Sequence, residues 1–267
     1  MSDHFNNKVA WITGASSGIG EFVAYAMSAQ GAKLILSGRR VDELERVKKA
    51  CTNPGAVQIL PLDLGDIPSL DGKAEAAITC FGQVDIMVHN GGVTQRGLII
   101  ETELEVHRRV MEVDYFSYVA LTKALLPHFA ARKAGHFVVT SSVMGKIGTP
   151  MRSAYAAAKH ALHGFFDCLR AEVSPLGIRV TILTPGYIRT SISLYALTKT
   201  AYGLGATSEN IDNGLAPDKA AKQILRAIEK GSLEPYIGKF SGERFAIWVN
   251  RFTPGIFARI APKLVPK

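Results

Sequence analysis

Val9-Ala10-Trp11-Ile12-Thr13, followed by Gly14-Ala15-Ser16-Ser17-Gly18-Ile19-Gly20, decides the fold of this 267-residue chain. The first five residues form an apolar run of strand length, and Glu21 to Gln30 carries a helical pattern. Strand, glycine turn and helix in that order build a site for the phosphates of a dinucleotide. The glycines let the backbone approach a pyrophosphate, and the helix start offers N–H groups that no preceding turn uses. Gly14, Ser16, Ser17, Gly18, Ile19 and Gly20 are therefore candidate cofactor-binding residues. The spacing is G-x-x-x-G-x-G, not the commoner G-x-G-x-x-G. A glycine turn alone is equally at home in a plain strand-to-helix connection; the flanking elements favour the nucleotide.

The next apolar run, Lys33 to Ser37, ends in Gly38-Arg39-Arg40. An acidic residue here would hydrogen-bond the ribose 2′-hydroxyl of NAD. Two arginines stand there instead, and a guanidinium fork matches a 2′-phosphate, so NADP(H) is the expected cofactor. The alternative is that Arg39 and Arg40 only begin the charged helix Val41 to Ala50. Further on, apolar runs alternate with amphipathic stretches. Strands are expected at 84–89, 136–141, 179–183 and near 235–237, with helices near 66–81, 104–132, 153–174 and 217–230. That alternation predicts an α/β fold, a single-domain Rossmann-type doubly wound parallel sheet with helices on both faces. The domain spans residues 1–240, with a substrate loop at about 186–214 and a C-terminal extension over 241–267.

Tyr155 and Lys159 lie four residues apart on an expected helix, so their side chains share a face. An ammonium beside a phenol favours phenolate and lowers the phenol's pKa from about 10, which makes it a usable acid/base near neutral pH. Ser142 ends the apolar run that begins at Gly135, where its hydroxyl could hold a substrate carbonyl while Tyr155 supplies a proton. Taken alone, Tyr155 and Lys159 also read as a helical tyrosine beside a solvated lysine.

Taken together these motifs resemble the short-chain dehydrogenase/reductase family, over roughly residues 8 to 240. Thr13 to Gly20 matches its TGxxxGxG loop, Tyr155 and Lys159 its YxxxK pair, and Ser142 its catalytic serine. The resemblance implies that Asp63 and Leu64 contact adenine, and that Pro185, Gly186, Ile188 and Thr190 lie by the nicotinamide. Asn90 and Gly91 fall in the turn after the fourth strand, where the family's NNAG appears as His89-Asn90-Gly91-Gly92. The family's fourth catalytic residue, an asparagine that anchors a relay water, is matched by Asp114. A carboxylate can hold that water and would also raise the pKa of a nearby Lys159. Within the family, residues 166–172 and 185–190 look most like the branch with membrane-linked lipid and steroid reductases. The resemblance implies substrate contacts at Val143, Met144, Met151, Tyr187 and Tyr195, an apolar wall suited to a lipophilic ketone or alcohol. It also implies a homodimer or homotetramer.

The function expected is an NADP(H)-dependent oxidoreductase moving a hydride between nicotinamide and a carbonyl or secondary alcohol. The alternative is a non-catalytic NADP(H)-binding sensor or scaffold, favoured only by Asp114 and His89. A formal net charge of +8 suits an anionic cofactor; the basic residues are dispersed and follow no nucleic-acid motif. Cys51, Cys80 and Cys168 are scattered, and His160 and His163 lack the partners that would complete a metal site, so no metal is expected. Reduced thiols, no signal-peptide pattern and no bilayer-length apolar run predict a cytoplasmic protein. The tail from Phe240 interleaves aromatic and basic residues, including Phe245, Trp248, Phe252, Arg244, Arg251 and Arg259, with a break at Pro254-Gly255. Its pattern suits an oligomer contact or substrate-entrance flap, or peripheral membrane contact.

Overall fold

A computed structural model describes residues 3–199, 209–239 and 242–264. Seven strands form one sheet: β1 (Val9–Thr13), β2 (Lys33–Ser37), β3 (Val57–Ile59), β4 (Ile86–His89), β5 (Gly135–Thr140), β6 (Ile178–Pro185) and β7 (Tyr236–Ile237). Their order is β3-β2-β1-β4-β5-β6-β7, and every pairing is parallel. Burial on both faces explains the unbroken apolar runs: all five residues of β1 are buried. The short β3 was not expected from the sequence, because Val57-Gln58-Ile59 is too brief to show a period.

Helices cover both faces: α1 (Gly18–Ser28), α2 (Val41–Ala50), α3 (Leu70–Phe81), α4 (Leu104–Met111), α5 (Ser117–Arg132), α6 (Ser153–Val173), α7 (Glu209–Asp212) and α8 (Pro217–Lys230). One apolar layer includes Ile12, Val23, Met27, Leu36 and Ile224; the other includes Trp11, Met87, Leu121, Phe137 and Phe166. Alternate residues of β1 thus serve opposite layers, as the two-residue strand period requires.

The expected helix 104–132 is not uniform. Glu112–Phe116 is a π turn joining α4 to α5, and Asp114 sits within it, wholly buried. Such wide turns recur at functional sites because they re-aim a side chain without ending the helix.

Beyond β7, α9 (Gly242–Phe252) and α10 (Pro254–Ile260) meet at the Pro254-Gly255 break expected from sequence. One side, through Ile247, Val249 and Phe257, packs on Val143 and Ile147 just after β5. The other side exposes Phe245, Trp248, Phe252, Ile256 and Ile260. No described helix is long and apolar enough to cross a membrane. Residues 200–208 of the expected substrate loop, and Phe240, Val265 and Lys267 of the expected tail pattern, lie outside the described residues.

Candidate active site

At the carboxyl ends of the strands, a cavity of about 370 Å³ opens over the point where the sheet order reverses between β1 and β4. Ligands of open parallel sheets bind in this crevice because the loops there diverge to opposite faces. At one end the cavity is walled by Gly14, Ser16, Ser17, Gly18 and Ile19 from the turn after β1. Gly14 has φ +65°, and a Cβ added to it would stand 2.5 Å from Gly91 Cα. Only glycine fits that close crossing of two loops. Gly20 does not line the cavity. It is a packing residue, since a Cβ there would meet the Gly14 carbonyl oxygen at 2.5 Å.

Ser17 begins α1 without bonding its hydroxyl back to the helix, so the helix start keeps its N–H groups for another acceptor. Arg40 Nη2 lies 3.2 Å from both Ser16 Oγ and Ser17 Oγ, bringing its cation over the turn. These residues fit the phosphates of a dinucleotide. Arg39 lines the same end. Asp63 and Leu64 line it after β3, where Arg109 Nη2 is 3.9 Å from Asp63 Oδ1. Asn90 ties the turns together, donating from Nδ2 to the carbonyl oxygens of Thr13 at 3.2 Å and Gly14 at 3.4 Å. Its neighbour His89 points into the core, stacked on Tyr118 at 4.8 Å and bonded to Thr122 at 2.9 Å. Burial pushes the imidazole down to about 3, so it stays neutral there.

Farther along, Ser142, Tyr155 and Lys159 line the cavity together. Ser142 Oγ accepts the Met144 N–H at 3.1 Å, which fixes the oxygen and leaves its proton to donate. Lys159 Nζ lies 5.5 Å from the Tyr155 ring centroid, donates to the Thr140 carbonyl at 3.1 Å, and stands 3.1 Å from Asp114 Oδ2. Asp114 Oδ1 accepts the Val93 N–H at 2.7 Å. Burial alone would push the Lys159 ammonium down; Asp114, with Tyr118 and Tyr155, outweighs it and holds the lysine above its ordinary value. Burial works the other way on the Asp114 carboxyl, raising it against the pull of Lys159. The two groups meet as a buried ion pair.

Val143, Met144, Tyr187, Pro185, Gly186, Ile188 and Thr190 also line the cavity. Met151 does not: its backbone takes φ 64°, and its carbonyl accepts the Gly97 N–H at 3.2 Å. Tyr195 lines the cavity at the glycine-turn end, with its ring 5.8 Å from the Arg40 guanidinium, where the sequence suggested a substrate contact. Three charged wall residues were missed altogether: Arg109, Arg152 and Glu243. Glu243 was hidden because it belongs to the tail. Arg152 was hidden because a lone arginine before a helix resembles a solvated end.

Residues 8–199 match the model of the family described as short chain dehydrogenase. The chain belongs to that family. It is 43% identical over 270 residues to a dehydrogenase/reductase SDR family protein 7-like of Anopheles gambiae, covering 99% of this chain and 85% of the other. A short-chain dehydrogenase structure from Streptomyces avermitilis superposes with TM-score 0.82 at 32% identity, covering 95% of this chain and 94% of that one. A short chain dehydrogenase/reductase from Burkholderia phymatum, in complex with NAD, superposes with TM-score 0.84 at 22% identity, covering 96% of each chain. At that identity the likeness is one of fold. Membership of the short-chain dehydrogenases makes this chain an oxidoreductase and accounts for the placement of Ser142, Tyr155 and Lys159 on one cavity wall.

Proposed function

We propose that this protein is an NADP(H)-dependent oxidoreductase that interconverts a lipophilic ketone and its secondary alcohol. The observation that carries the reading is one cavity joining Arg40, over the glycine turn, to the Ser142, Tyr155 and Lys159 cluster. A bound dihydronicotinamide supplies the hydride. Gly14 to Ile19 cradle the phosphates, and Arg40, with Arg39 beside it, takes the 2′-phosphate. The NAD in the Burkholderia phymatum neighbour is consistent with a nicotinamide dinucleotide; the two arginines favour the phosphorylated form. Asp63 and Leu64 sit against the adenine, and Pro185, Gly186, Ile188 and Thr190 beside the carboxamide.

Ser142 Oγ and the Tyr155 hydroxyl bind the substrate oxygen, and Tyr155 gives it a proton as negative charge builds there. Lys159 keeps positive charge beside the phenol while that proton leaves. Asp114 is the positioning residue that keeps Lys159 charged, and its carboxylate is a working substitute for the family's asparagine. Val143, Met144 and Tyr187 supply the apolar contact to the substrate.

Residues 1–240 carry cofactor and catalysis, and the 241–267 extension closes the mouth through Glu243 and α9. A homodimer or homotetramer through α5 and α6 fits the half-exposed Phe116 beside them. The outward apolar side of α9 and α10, flanked by Arg244, Arg251 and Arg259, suits peripheral contact with a membrane from the cytoplasmic side. The test is oxidation of NADPH and NADH against apolar ketones, steroids and quinones, with Tyr155→Phe alongside. Consumption of NADPH that Tyr155→Phe abolishes while still binding NADPH supports the reading. Comparable turnover by Tyr155→Phe refutes the assigned acid.

A further inference from the structure

The substrate end of the cavity holds a half-buried cation that the proposed chemistry does not use. Arg152 immediately precedes α6, three residues before Tyr155, and lines the cavity. Its Nη1 donates to Thr94 Oγ1 at 2.9 Å and to the Gln95 carbonyl at 3.2 Å. Those are its only partners among the described residues, and both are neutral. The planar guanidinium carries five N–H donors, so its Nε and Nη2 edge is left for a ligand. Burial pushes its pKa down, the phenols of Tyr155 and Tyr187 act in the opposite direction, and Arg96 adds a second cation nearby. A guanidinium partly withdrawn from water and close to a like charge gains from an anion placed against its open edge.

Each acid in the cavity wall is engaged elsewhere. Asp114 is paired with Lys159. Asp63 lies by Arg109 at the glycine-turn end. Glu243 accepts from Tyr236 Oη at 3.2 Å and from the Tyr187 N–H at 3.3 Å. Arg152 is also remote in role from Arg39 and Arg40, which serve the opposite end of the cavity.

We propose that Arg152 binds an oxyanion on the substrate, so that the ketone reduced here is amphiphilic, with an apolar body and a carboxylate or phosphate monoester close to the reacting carbonyl. Arg152 and Tyr155 line the same cavity and their side chains interact electrostatically, so one substrate presents its anion to the first and its carbonyl to the second. The apolar body lies against Val143, Met144 and Tyr187. This assignment rests on the oxidoreductase reading of the same cavity.

The experiment compares matched ketones that differ only at one end: a 2-oxoalkyl phosphate against the 2-oxoalkyl alcohol, and a keto acid against its methyl ester. Rates are measured with NADPH on the wild type, Arg152→Met and Arg152→Lys. A charge-assisted contact predicts a tenfold to hundredfold preference for the anionic member, by the usual strength of such bonds. Arg152→Met brings the ratio to about one while turnover of the neutral ketone persists, and Arg152→Lys restores part of it. Preference in the phosphate pair alone, or the carboxylate pair alone, identifies the anion. A merely structural Arg152 would depress both members of each pair equally; an unchanged ratio in Arg152→Met overturns the proposal. Binding of a non-reacting alkyl phosphate and alkyl carboxylate is measured by calorimetry on the NADPH complex. Loss of that binding in Arg152→Met upholds the anion site even where no ketone is turned over, an outcome that counts against the oxidoreductase reading alone. Equal binding by both forms refutes the anion site.

Discussion

Asp114→Asn probes the ion pair that holds Lys159 in the cavity wall. In the native protein Lys159 Nζ and Asp114 Oδ2 are 3.1 Å apart, with side chains 4% and 0% exposed. Asparagine keeps the shape but cannot satisfy both neighbours. If its oxygen accepts the Val93 N–H, its amide faces the ammonium; if it turns, it loses Val93. In the first orientation Lys159 keeps only the Thr140 carbonyl as an acceptor; in the second the Val93 N–H is orphaned. Removing one partner of a buried pair typically costs about 3–5 kcal/mol. The lysine's escape sets a ceiling: shedding its proton at pH 7 from the ordinary 10.5 costs about 5 kcal/mol, at 1.36 kcal/mol per pH unit. We therefore expect a loss of about 3 kcal/mol in urea unfolding at pH 7, the lower end because the Val93 or Thr140 bonds survive. The sign with pH follows. In the wild type the folded lysine lies above its unfolded value, so its contribution is complete below 10.5 and declines as pH rises beyond it. In the variant burial dominates and the folded value falls below the unfolded one, so the penalty is relieved as pH climbs toward 10.5. The gap between the two proteins is thus widest near neutrality and narrows by pH 10. A gap under about 1 kcal/mol at pH 7, or one that stays constant to pH 10, refutes the ion pair as described.

Three other perturbations test separate parts. Arg40→Ser should raise the KM for NADPH by about tenfold or more while leaving that for NADH little changed; an equal change for both cofactors would remove Arg40 from the 2′-phosphate. Glu234 is pulled down to about 2 by its hydrogen bond to His163 and by Lys146, so its stabilisation is present above 4.5 and is lost as pH falls from there toward 2. Glu234→Gln should therefore lose stability at pH 7, by about 1–2 kcal/mol once its part exposure is discounted, with the deficit shrinking toward pH 3; a deficit independent of pH contradicts this. Replacing Trp248 and Phe252 together by serine should weaken sedimentation with anionic phospholipid vesicles without changing NADPH binding, and unchanged sedimentation would eliminate the membrane contact.

What could be read in advance and what could not follows from sequence distance. The β1 turn and the Tyr155–Lys159 spacing are local patterns, and the helix over 41–50 was legible to the residue because charge placement and period agree there. β3 was not: three residues in a sheet show no period, and only pairing with β2 makes them a strand. Asp114 was legible as a position but not as a contact. The π turn that aims it at Lys159 is a packing outcome, with Val93 supplied from a loop 21 residues away. His89 was a departure without an explanation until its ring was seen stacked on Tyr118 and bonded to Thr122.

The harder residues were those whose meaning depends on what is absent around them. Arg152 and Arg40 both stand just before helices, and only Arg40 had a neighbouring strand end to give it meaning in the sequence. The fold separates them by giving Arg40 the hydroxyls of Ser16 and Ser17 at the mouth of a phosphate cradle, and Arg152 only the neutral Thr94 and Gln95 at its catalytic end. Glu243 makes the same point from the tail. Its carboxylate reaches back to Tyr187 and Tyr236, so α9 becomes a cavity wall. Val143 and Ile147 behind Ser142 pack against the same helix. The tail therefore bears on the loop carrying the Ser142 hydroxyl, and its exposed aromatic side belongs to a helix that already forms part of the cavity wall.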